Sequence, residues 1–496
     1  MRPHLTMRPN QNKRMTFVIA ALDPMDLTLS GAILLAALVV SGHAIIYKRE
    51  PRSAALWVVI IWLVPAVGPV LYFLLGINRV QRRAAALRGG MVRYRALPEV
   101  LPCELAIPAG EAEHLLPLAR LVRHVVGRPV LPGNLIEPLV NGDQAYPAML
   151  ATIESAQESL GLASYIFHGE GIGHDFVDAL NRANRRGVVV RVLIDDVNAR
   201  FSRHSAARLL RRAGVPVGIF NPTLVPSRLK AANLRNHRKI LVVDGKVGFT
   251  GGMNVDKRYW NPAEPERAFH DLHFRVRGPV VEHLAEVFVD DWQFTTGEAL
   301  RGPKWFPSLQ ACEGTAGARG IEAGPDETFD RVRWAIIGGL NAAQHSVRVL
   351  TPYFIPDAAL IAALNAAAMR GVEVDIILPE HSDLPHIHWA AFGQLWQVLE
   401  HGCRVWLVPG PFDHSKLMVV DGIWTLLGSA NWDVRSLRLN FEFNVECYDA
   451  DLGKKMDNLA CEKRTRARAV TLEKVNARSL PIKLRDGAAR LFAPYL

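Results

Sequence analysis

Hydrophobic residues are gathered into two long runs near the N-terminus and into many shorter runs over the rest of the chain. The first long run covers residues 27–47 and the second covers residues 54–77; neither contains Asp, Glu, Lys or Arg. As a helix, each run is long enough to cross the roughly 30 Å of hydrocarbon in a bilayer. The pattern therefore predicts a transmembrane hairpin over residues 27–78, preceded by a basic tail over residues 1–26.

Other interpretations of these runs stay open at the level of sequence. A secretory signal peptide or a buried core helix would also be apolar, although the length of the first run and the presence of a second favour a membrane hairpin. Pro65 and Pro69 favour a kink or a re-entrant second span. Arginines on the outer flanks favour the cytoplasm for both flanks, whereas the basic loop at residues 48–52 opposes it. We predict a hairpin followed by a large cytoplasmic body.

The shorter apolar runs alternate with amphipathic stretches, and their order repeats. Helix, strand, helix and strand are predicted at residues 146–159, 161–167, 175–186 and 188–194, and again at residues 334–344, 347–354, 358–370 and 372–378. Continuous apolar strands between helices are typical of sheets covered on both faces. The repeat predicts two duplicated α/β sandwich halves with pseudo-twofold symmetry.

The regions around the halves differ in composition. An Arg-rich connector precedes the first half, a stretch rich in Gly, Ala and Pro separates the halves, and a basic segment with scattered apolar residues ends the chain. The predicted limits are 79–131 for the connector, 132–300 and 327–460 for the halves, 301–326 for the linker and 461–496 for the C-terminal segment. This last segment is predicted to be either a helix lying on anionic lipid or an amphipathic helix docked on the body.

One short motif occurs once in each half. It covers residues 237–254 in the first half and 414–431 in the second, with His, Lys, Asp, Gly and Asn at offsets 0, 2, 7, 14 and 17. Residues two apart on a strand share a face, so the His and the Lys of each motif project together. An imidazole and an ammonium on one face suit a phosphate group. These residues are His237, Lys239, His414 and Lys416.

The remaining motif residues have other predicted roles. Asp244 and Asp421 lie at an odd offset from the His and the Lys, and each is followed by glycine between two apolar runs. This is the pattern of a two-residue β-hairpin, so we expect both aspartates to fix a turn. After each hairpin, small residues let backbone N–H groups approach an anion, and an Asn adds a side-chain donor. The predicted phosphate-binding residues are Gly252, Asn254, Ser429 and Asn431.

Both motifs closely resemble the H-x-K-x4-D-x6-G-[GS]-x-N motifs of the phospholipase D superfamily, and their surroundings resemble bacterial cardiolipin synthases. The matching stretches are Thr351-Pro352-Tyr353-Phe354-Ile355-Pro356-Asp357, Ser429-Ala430-Asn431-Trp432-Asp433 and Asn440-Phe441-Glu442. The resemblance covers nearly the whole chain and implies phospholipase-D-like halves and a multi-pass protein of the bacterial inner membrane. It also implies a catalytic set made of His237, Lys239, Asp244, His414, Lys416 and Asp421.

The resemblance further implies a division of roles. Asp271 and Glu442 are expected to contact and orient the two imidazoles. His237 is expected to be the nucleophile and His414 the general acid. One half-site offers too little for phosphodiester exchange, so two half-sites must face each other around one phosphate, with one imidazole neutral and the other protonated. The expected intermediate is a phosphohistidine, and no cofactor or metal is expected.

The function implied is a membrane phosphatidyltransferase that makes cardiolipin from two phosphatidylglycerol molecules and releases glycerol. The nearest alternative is a phospholipase D that transfers the phosphatidyl group to water. A superfamily nuclease is more remote, because the predicted spans and the lack of basic patches interleaved with aromatic residues argue against nucleic acid. A non-catalytic scaffold is also remote, because both motifs are intact. The sequence gives no oligomeric state.

Composition adds little to this choice. The net charge of +10 favours an anionic partner such as a lipid surface or a phosphate ester. The five cysteines are scattered without a C-x-x-C pair, which argues against a disulfide framework or a structural zinc site. Five further histidines are predicted to be structural, solvent-facing or at the rim of the cleft rather than metal ligands: His168, His174, His381, His386 and His388.

Overall fold

The computed structural model describes residues 24–48, 50–76, 112–196, 205–222, 234–308, 314–326 and 328–492. The chain forms two compact units, Met1–Arg79 and Val80–Leu496. Most of the predicted basic tail and residues 79–111 of the predicted connector lie outside the described residues.

The N-terminal unit begins with an apolar helix, α1 (Pro24–Tyr47). By length and composition, residues 28–47 of this helix can cross a membrane. The helix packs against the segment that follows it through a small apolar core. That core contains Ala37, Ala44, Ile61 and Tyr72. The first predicted span is therefore present as one continuous helix.

The second predicted span is not one helix. Helix α2 (Pro51–Leu63) ends at Val64, and a turn separates it from the short helix α3 (Gly68–Leu71) and a π-helical turn (Tyr72–Gly76). Val64 leaves the helical region (φ −131°, ψ 71°) because the ring of Pro65 disfavours helical backbone at the residue before it. The 13 residues of α2 span only about 20 Å, less than the hydrocarbon thickness. The two-helix hairpin is thus confirmed only in part.

The C-terminal unit is built on an extended mixed sheet to which both halves contribute. The first half supplies β1 (Leu131–Val140), β2 (Ser159–Ser164), β3 (Val189–Asp195), β4 (Val217–Phe220), β5 (Arg235–Asn236), β6 (Ile240–Val243), β7 (Val247–Gly251) and β8 (Leu272–Arg277). The second half supplies β9 (Ala316–Ala323), β10 (Ser346–Leu350), β11 (Phe354–Ile355), β12 (Glu373–Pro379), β13 (Arg404–Val408), β14 (Leu417–Val420), β15 (Trp424–Gly428), β16 (Trp432–Asp433), β17 (Asn440–Tyr448) and β18 (Arg468–Val470).

The order of the strands reveals the duplication. It is β1-β8-β7-β6-β2-β3-β4 in the first half and β9-β17-β15-β14-β10-β12-β13 in the second, where β18 adds one more strand at the edge. The two series match position for position, and antiparallel pairing of β1 with β9 joins them. β11 and β16 form a separate two-stranded ribbon. The prediction of two duplicated α/β halves is confirmed.

Helices cover both faces of this sheet. The described helices of the unit are α4 (Leu116–Val126), α5 (Asn141–Ser155), α6 (Ile172–Arg185), α7 (Ala206–Arg212), α8 (Val281–Thr296), α9 (Arg331–Ala342), α10 (Ala358–Met369), α11 (Pro385–Phe392), α12 (Trp396–Leu399), α13 (Val434–Arg438), α14 (Ala450–Thr465), α15 (Leu472–Asn476) and α16 (Leu480–Leu491). Helices α5, α6 and α7 pack on the first half, and α4, α9 and α10 pack on the second. Because α8 and α14 share one core with strands of both halves, this central core fixes the halves relative to each other.

Strand β9 lies inside the interval 301–326, for which the sequence predicts a linker. All eight of its residues are buried, and it pairs with both β1 and β17. A Cβ at Gly320 would lie 2.8 Å from the Cβ of His283 and 2.9 Å from the ring of Phe443. The strand is rich in Gly and Ala because the halves meet closely there. Loops are often rich in the same residues, which is why the sequence predicts a linker here.

The C-terminal segment is folded onto the second half. After α14, strand β18 pairs with β13, and helix α16 packs against α11. One face of α16 is therefore docked on the body, as one of the two predicted alternatives states. The opposite face is exposed and carries leucines.

The Asp-Gly turns of the motifs are the hairpins that the sequence predicts. Asp244 and Asp421 have positive φ (52° and 51°), as do the glycines after them, and a type I′ turn requires this at both positions. Each carboxylate accepts hydrogen bonds from three successive backbone N–H groups, those of residues 157–159 for Asp244 and of residues 344–346 for Asp421. The carboxylates thus fasten the two hairpins to β2 and β10.

We expect Asp244→Asn to lower the free energy of unfolding by about 1–3 kcal/mol. One amide oxygen cannot replace the two carboxylate oxygens that accept these bonds. The rate per folded molecule should not change, which thermal unfolding combined with kcat measured well below the transition will check. Asp178→Asn, at a side chain of α6 that is 48% exposed, is the matched control and should alter neither quantity. Normal stability with lost activity in Asp244→Asn would contradict the turn role.

Candidate active site

Each motif is held against the opposite half by one short parallel pairing of backbone segments. β5 precedes His237 and pairs with the first residues of β17, and the His237 N–H donates to the carbonyl of Phe441 (2.9 Å). At the second motif the equivalent contacts are formed: His270 forms a parallel bridge with Asp413, and the His414 N–H donates to the His270 carbonyl (2.7 Å). Both motif histidines are therefore fixed at the boundary between the halves.

Each imidazole contacts a carboxylate that belongs to the other half. His237 Nδ1 lies 3.0 Å from both carboxylate oxygens of Glu442. His414 Nδ1 lies 2.8 Å from Asp271 Oδ2. Both carboxylates are buried, and no hydrogen bond to Nε2 of either ring is present among the residues that the structure describes. Nε2 is therefore the nitrogen that each ring can offer to a ligand.

The motif lysines lie in the same buried cluster. Lys239 Nζ donates to the carbonyl of His237 (2.6 Å), and Lys416 Nζ donates to that of His414. Burial lowers the pKa of Lys239 to about 7 and that of Lys416 to about 8, although the charges of Glu442 and Asp271 oppose this shift. Because each buried ammonium is costly without a counter-charge, the cluster suits an anion.

The imidazoles are weakly basic for the same reason. Burial lowers the pKa of His237 to about 4, because the opposing charge of Glu442 only partly offsets it. Burial and the charges of Lys416 and Lys239 lower the pKa of His414 well below its usual value. Burial also raises the pKa of Asp271 to about 7. Burial opposes ionisation of Glu442 as well, but His237 and Lys239 outweigh it and keep the pKa of Glu442 below its usual value. The two imidazoles are therefore neutral at pH 7, and the carboxylate beside His237 is the more firmly ionised.

A difference between the motifs matches a difference between the two carboxylates. A Cβ at Gly252 would lie 2.2 Å from Asp271 Oδ1, so only glycine fits beside this acid. At the matching position the Ser429 hydroxyl donates to Glu442 Oε2 (2.5 Å). The backbone N–H groups of Gly252 and Ser429 both donate to strand carbonyls, in β8 and β17. In this geometry the N–H groups of both residues are already engaged in the sheet, and their phosphate-binding role stays a prediction.

The motif asparagines are buried next to the histidines. Asn254 accepts from the Ile166 N–H through Oδ1 (3.1 Å), and its Nδ2 donates to the Tyr259 hydroxyl (3.4 Å). That hydroxyl lies 3.0 Å from His414 Nδ1 and so connects Asn254 to the histidine of the other motif. Asn431 is equally buried, and its Oδ1 has no hydrogen-bond partner within the described part of the chain.

Two tyrosines of the cluster are absent from the residues that the sequence singles out. Tyr165 packs edge-on against His237, with 4.9 Å between ring centroids, and Lys239 Nζ lies 5.5 Å from the same ring. Tyr259 follows the first motif, whereas the second has Ser436 at the matching position. This difference between two otherwise matching segments is the sequence signal that could have identified Tyr259.

Other predicted residues lie outside the cluster. Asp244 and Asp421, which the resemblance includes in the catalytic set, lie at the far end of the strand from the motif histidine and bind backbone N–H groups. These contacts support the turn role, and the catalytic role that the resemblance implies stays a prediction. The additional histidines are also elsewhere: His168 beside Asp256, His174 exposed on α6, His381 before α11, and His386 and His388 on α11.

Comparison with protein families gives two matches. The family described as "Cardiolipin synthase, PLD-like domain" matches residues 149–292 and 336–461. The family described as "Phospholipase_D-nuclease N-terminal" matches residues 32–76. The first match includes both motifs and both carboxylates of the cluster, and the second falls on the apolar N-terminal unit.

Similar proteins cover nearly the same length. The cardiolipin synthase of Geobacillus kaustophilus (strain HTA426) is 31% identical over 477 residues, which are 96% of this chain and 94% of that protein. The major cardiolipin synthase of Bacillus subtilis (strain 168) is 30% identical over 463 residues, 90% of this chain and 95% of that protein. Among solved structures, phosphatidylserine synthase of Haemophilus influenzae Rd KW20 matches with a TM-score of 0.57 and 14% identity, over 76% of this chain and 100% of that one. This structural likeness supports the fold alone.

The pKa of Asp271 predicts how stability depends on pH. In the unfolded chain an Asp titrates near 4, whereas in the folded protein the pKa of Asp271 is about 7. Between these values the folded state binds more protons, so the free energy of unfolding falls as pH rises from about 4 to about 7. Asp271→Asn should remove this loss and be most stabilising, relative to the wild type, above pH 7. Thermal unfolding of both proteins from pH 5 to 8.5 measures the difference.

Asp413→Asn is the control of opposite sign. Burial opposes ionisation of Asp413, but Lys463 and Ser415 outweigh it and lower its pKa to about 2. Its stabilising effect is complete above about pH 4 and is lost only as pH falls below that. Asp413→Asn should therefore destabilise the protein throughout pH 5 to 8.5. A difference between wild type and Asp271→Asn that does not vary with pH would contradict the burial of a titrating carboxyl at residue 271.

Proposed function

This chain belongs to the phospholipase-D-like cardiolipin synthase family and is an enzyme of cardiolipin synthesis, and we propose that it transfers the phosphatidyl group of one phosphatidylglycerol to a second, with release of glycerol. The observation that carries the proposal is the crossed pairing of His237 with Glu442 and of His414 with Asp271. Each pairing occupies Nδ1, so both rings present Nε2, and two such nitrogens can serve one phosphodiester from opposite sides.

In the first step His237 is the nucleophile. Its Nε2 attacks phosphorus while the Nδ1–H donates to Glu442, and the bond from phosphorus to the glycerol oxygen breaks. His414, in its protonated form, gives its proton to the leaving glycerol. The phosphatidyl group is then held on His237 as a phosphohistidine. In the second step neutral His414 takes the proton of a hydroxyl on the incoming phosphatidylglycerol, whose oxygen displaces His237 and forms cardiolipin.

The substrate itself would supply the protonation state that this scheme needs. The pKa of His414 is low because of burial and because of the charges of Lys416 and Lys239. A bound phosphodiester anion would offset those charges, which raises the pKa of His414 and favours uptake of a proton. Lys239 and Lys416 would turn from the histidine carbonyls to the non-bridging oxygens, with Asn254 and Asn431 as neutral donors. The scheme needs neither cofactor nor metal, because the two ammonium groups provide the positive charge.

We also infer where the reaction takes place. The family and the apolar helix α1 make this a membrane-associated protein, and a diacyl substrate requires contact with the bilayer. We propose a bacterial inner-membrane protein that crosses the membrane more than once and whose catalytic unit is cytoplasmic, in keeping with the arginines that follow residue 78. Protease treatment of sealed inverted vesicles would test this: a catalytic unit protected from protease there would contradict it.

A product assay tests the reaction. Purified protein in mixed micelles should convert phosphatidylglycerol, labelled in the head-group glycerol, into cardiolipin and free glycerol in equal amounts. Transfer to a second lipid is expected to exceed hydrolysis because His237 and His414 are only 9% and 6% exposed, which limits access of water. Phosphatidic acid without cardiolipin would contradict the transferase and favour a phospholipase D.

A second experiment tests the two histidines. His237→Ala and His414→Ala should each lower kcat at least about 10³-fold while leaving the unfolding temperature nearly unchanged. With substrate labelled at phosphorus, acid-labile and base-stable label should accumulate on His414→Ala and be absent from His237→Ala. His174→Ala, at a side chain that is 61% exposed, is the matched control and should be fully active. Label on His237→Ala alone would reverse the two roles.

A further inference from the structure

The C-terminal helix α16 is turned with its apolar side outward. Leu480, Leu484 and Leu491 are 68%, 63% and 75% exposed, and Asp486, which lies between them in sequence, is 1% exposed. At 3.6 residues per turn the three leucines lie on one face of the helix. Together with the adjacent Phe492, which is 62% exposed, they form what we call the leucine stripe. A helix docked on a soluble domain normally has the reverse arrangement.

Polar contacts hold α16 in this orientation. The buried Asp486 accepts hydrogen bonds from Arg478 and Arg485, and Arg490 donates to the carbonyl of Gly393 at the end of α11 (3.2 Å). A Cβ at Gly393 would lie 2.7 Å from the carbonyl oxygen of Asp486, so the two helices touch closely at this glycine. Because the inward face is fixed by a buried carboxylate and its arginines, rotation of the helix to hide the leucines would break these bonds.

The helix under α16 leads directly to the active site. Helix α11 shares an apolar cluster with Tyr353 and Phe412, and Ala489 of α16 packs against this cluster. The ring of Phe412 lies 5.8 Å from that of His414, and the ring of Tyr353 lies 6.3 Å from it, measured between centroids. One helix layer and one aromatic layer therefore separate the leucine stripe from a proposed catalytic histidine.

The charges beside the stripe indicate what covers it. Lys483, within α16, is exposed and forms no ion pair within the described part of the chain. The helix carries three basic residues, Lys483, Arg485 and Arg490, and its one acidic residue, Asp486, is buried. Exposed leucines on a basic helix are the composition of a helix that lies in the interface of an anionic membrane. A second copy of this chain fits less well, because the one acidic residue of α16, Asp486, is buried, so the helix of the copy would bring basic groups to the stripe and no acidic partner for them.

We propose that the leucine stripe enters the surface of an anionic bilayer and holds the histidine pair at the lipid that supplies the substrate. The proposal rests on the proposed function, in that the substrate is a membrane lipid. It adds a second membrane contact, made by the catalytic unit itself and separate from the apolar N-terminal unit. The leucines would sit about 5–10 Å deep, at the boundary of head groups and acyl chains.

The test compares full-length wild type with Leu484→Glu/Leu491→Glu in two lipid environments. On vesicles of phosphatidylglycerol and phosphatidylcholine the double variant should synthesise cardiolipin at least tenfold more slowly. In detergent mixed micelles, where substrate reaches the site without a bilayer surface, the two rates should agree within twofold. Met369→Glu is the matched control, because Met369 is a 66% exposed apolar side chain at the end of α10. It should behave as wild type in both environments.

Hydrogen exchange provides a readout that does not depend on catalysis. Backbone amides of residues 480–492 in the wild type should exchange more slowly on vesicles that contain phosphatidylglycerol than on pure phosphatidylcholine vesicles, and this protection should be lost in the double variant. Protection without any cardiolipin formation would support the membrane contact and count against the proposed function alone. Equal rates of wild type and double variant on vesicles would overturn the membrane contact.

Two further outcomes would assign the stripe to another partner and so overturn the proposal. A lower unfolding temperature of the double variant would mean that the leucines pack against another part of this chain. A lower molecular mass of the double variant in detergent would mean that they form an interface between copies.

Discussion

The interaction on which the site depends is the hydrogen bond between the imidazole of one half and the carboxylate of the other, formed twice. Neither half contains a complete pair, because Glu442 contacts His237 and Asp271 contacts His414. Backbone pairing between the halves places each histidine beside the carboxylate of the other half, since β5 pairs with β17 and His270 pairs with Asp413. The central core around α8, α14 and β9 therefore matters for the proposed catalysis, because it fixes the register in which the halves meet.

The cluster also explains why the site suits phosphate. The ionised carboxylate of Glu442 does not balance two buried lysines and two imidazoles, and burial limits the excess positive charge by lowering their pKa values. A phosphodiester would add negative charge where two lysines and two histidines lie close together. In the proposed mechanism, substrate binding and uptake of the proton needed for catalysis are therefore linked through the same electrostatic balance.

The duplication is not a perfect copy, and its differences are coordinated. On one side a glycine leaves room for the carboxylate of Asp271, and Tyr259 contacts the histidine. On the other side Ser429 donates to Glu442 and helps to keep it ionised. The two imidazoles consequently lie in different electrostatic surroundings. A reaction in which one histidine is the nucleophile and the other is the acid requires such a difference between the two imidazoles.

The resemblance to a known family supplied the expectation that Asp271 and Glu442 contact imidazoles. The pattern of residues alone predicts the two motifs, the strand and hairpin around each, and the duplicated α/β architecture. These features are local or periodic, so spacing and turn chemistry encode them. Contacts between segments that are far apart in sequence establish that the acid–histidine pairs cross between halves, that β9 is a buried strand, and that α16 presents its leucines outward. Each of these depends on which distant segment lies alongside: the close approach at Gly320 makes a loop-like composition necessary in a strand, and the buried Asp486 sets the rotation of a helix whose pattern alone would place its leucines inside.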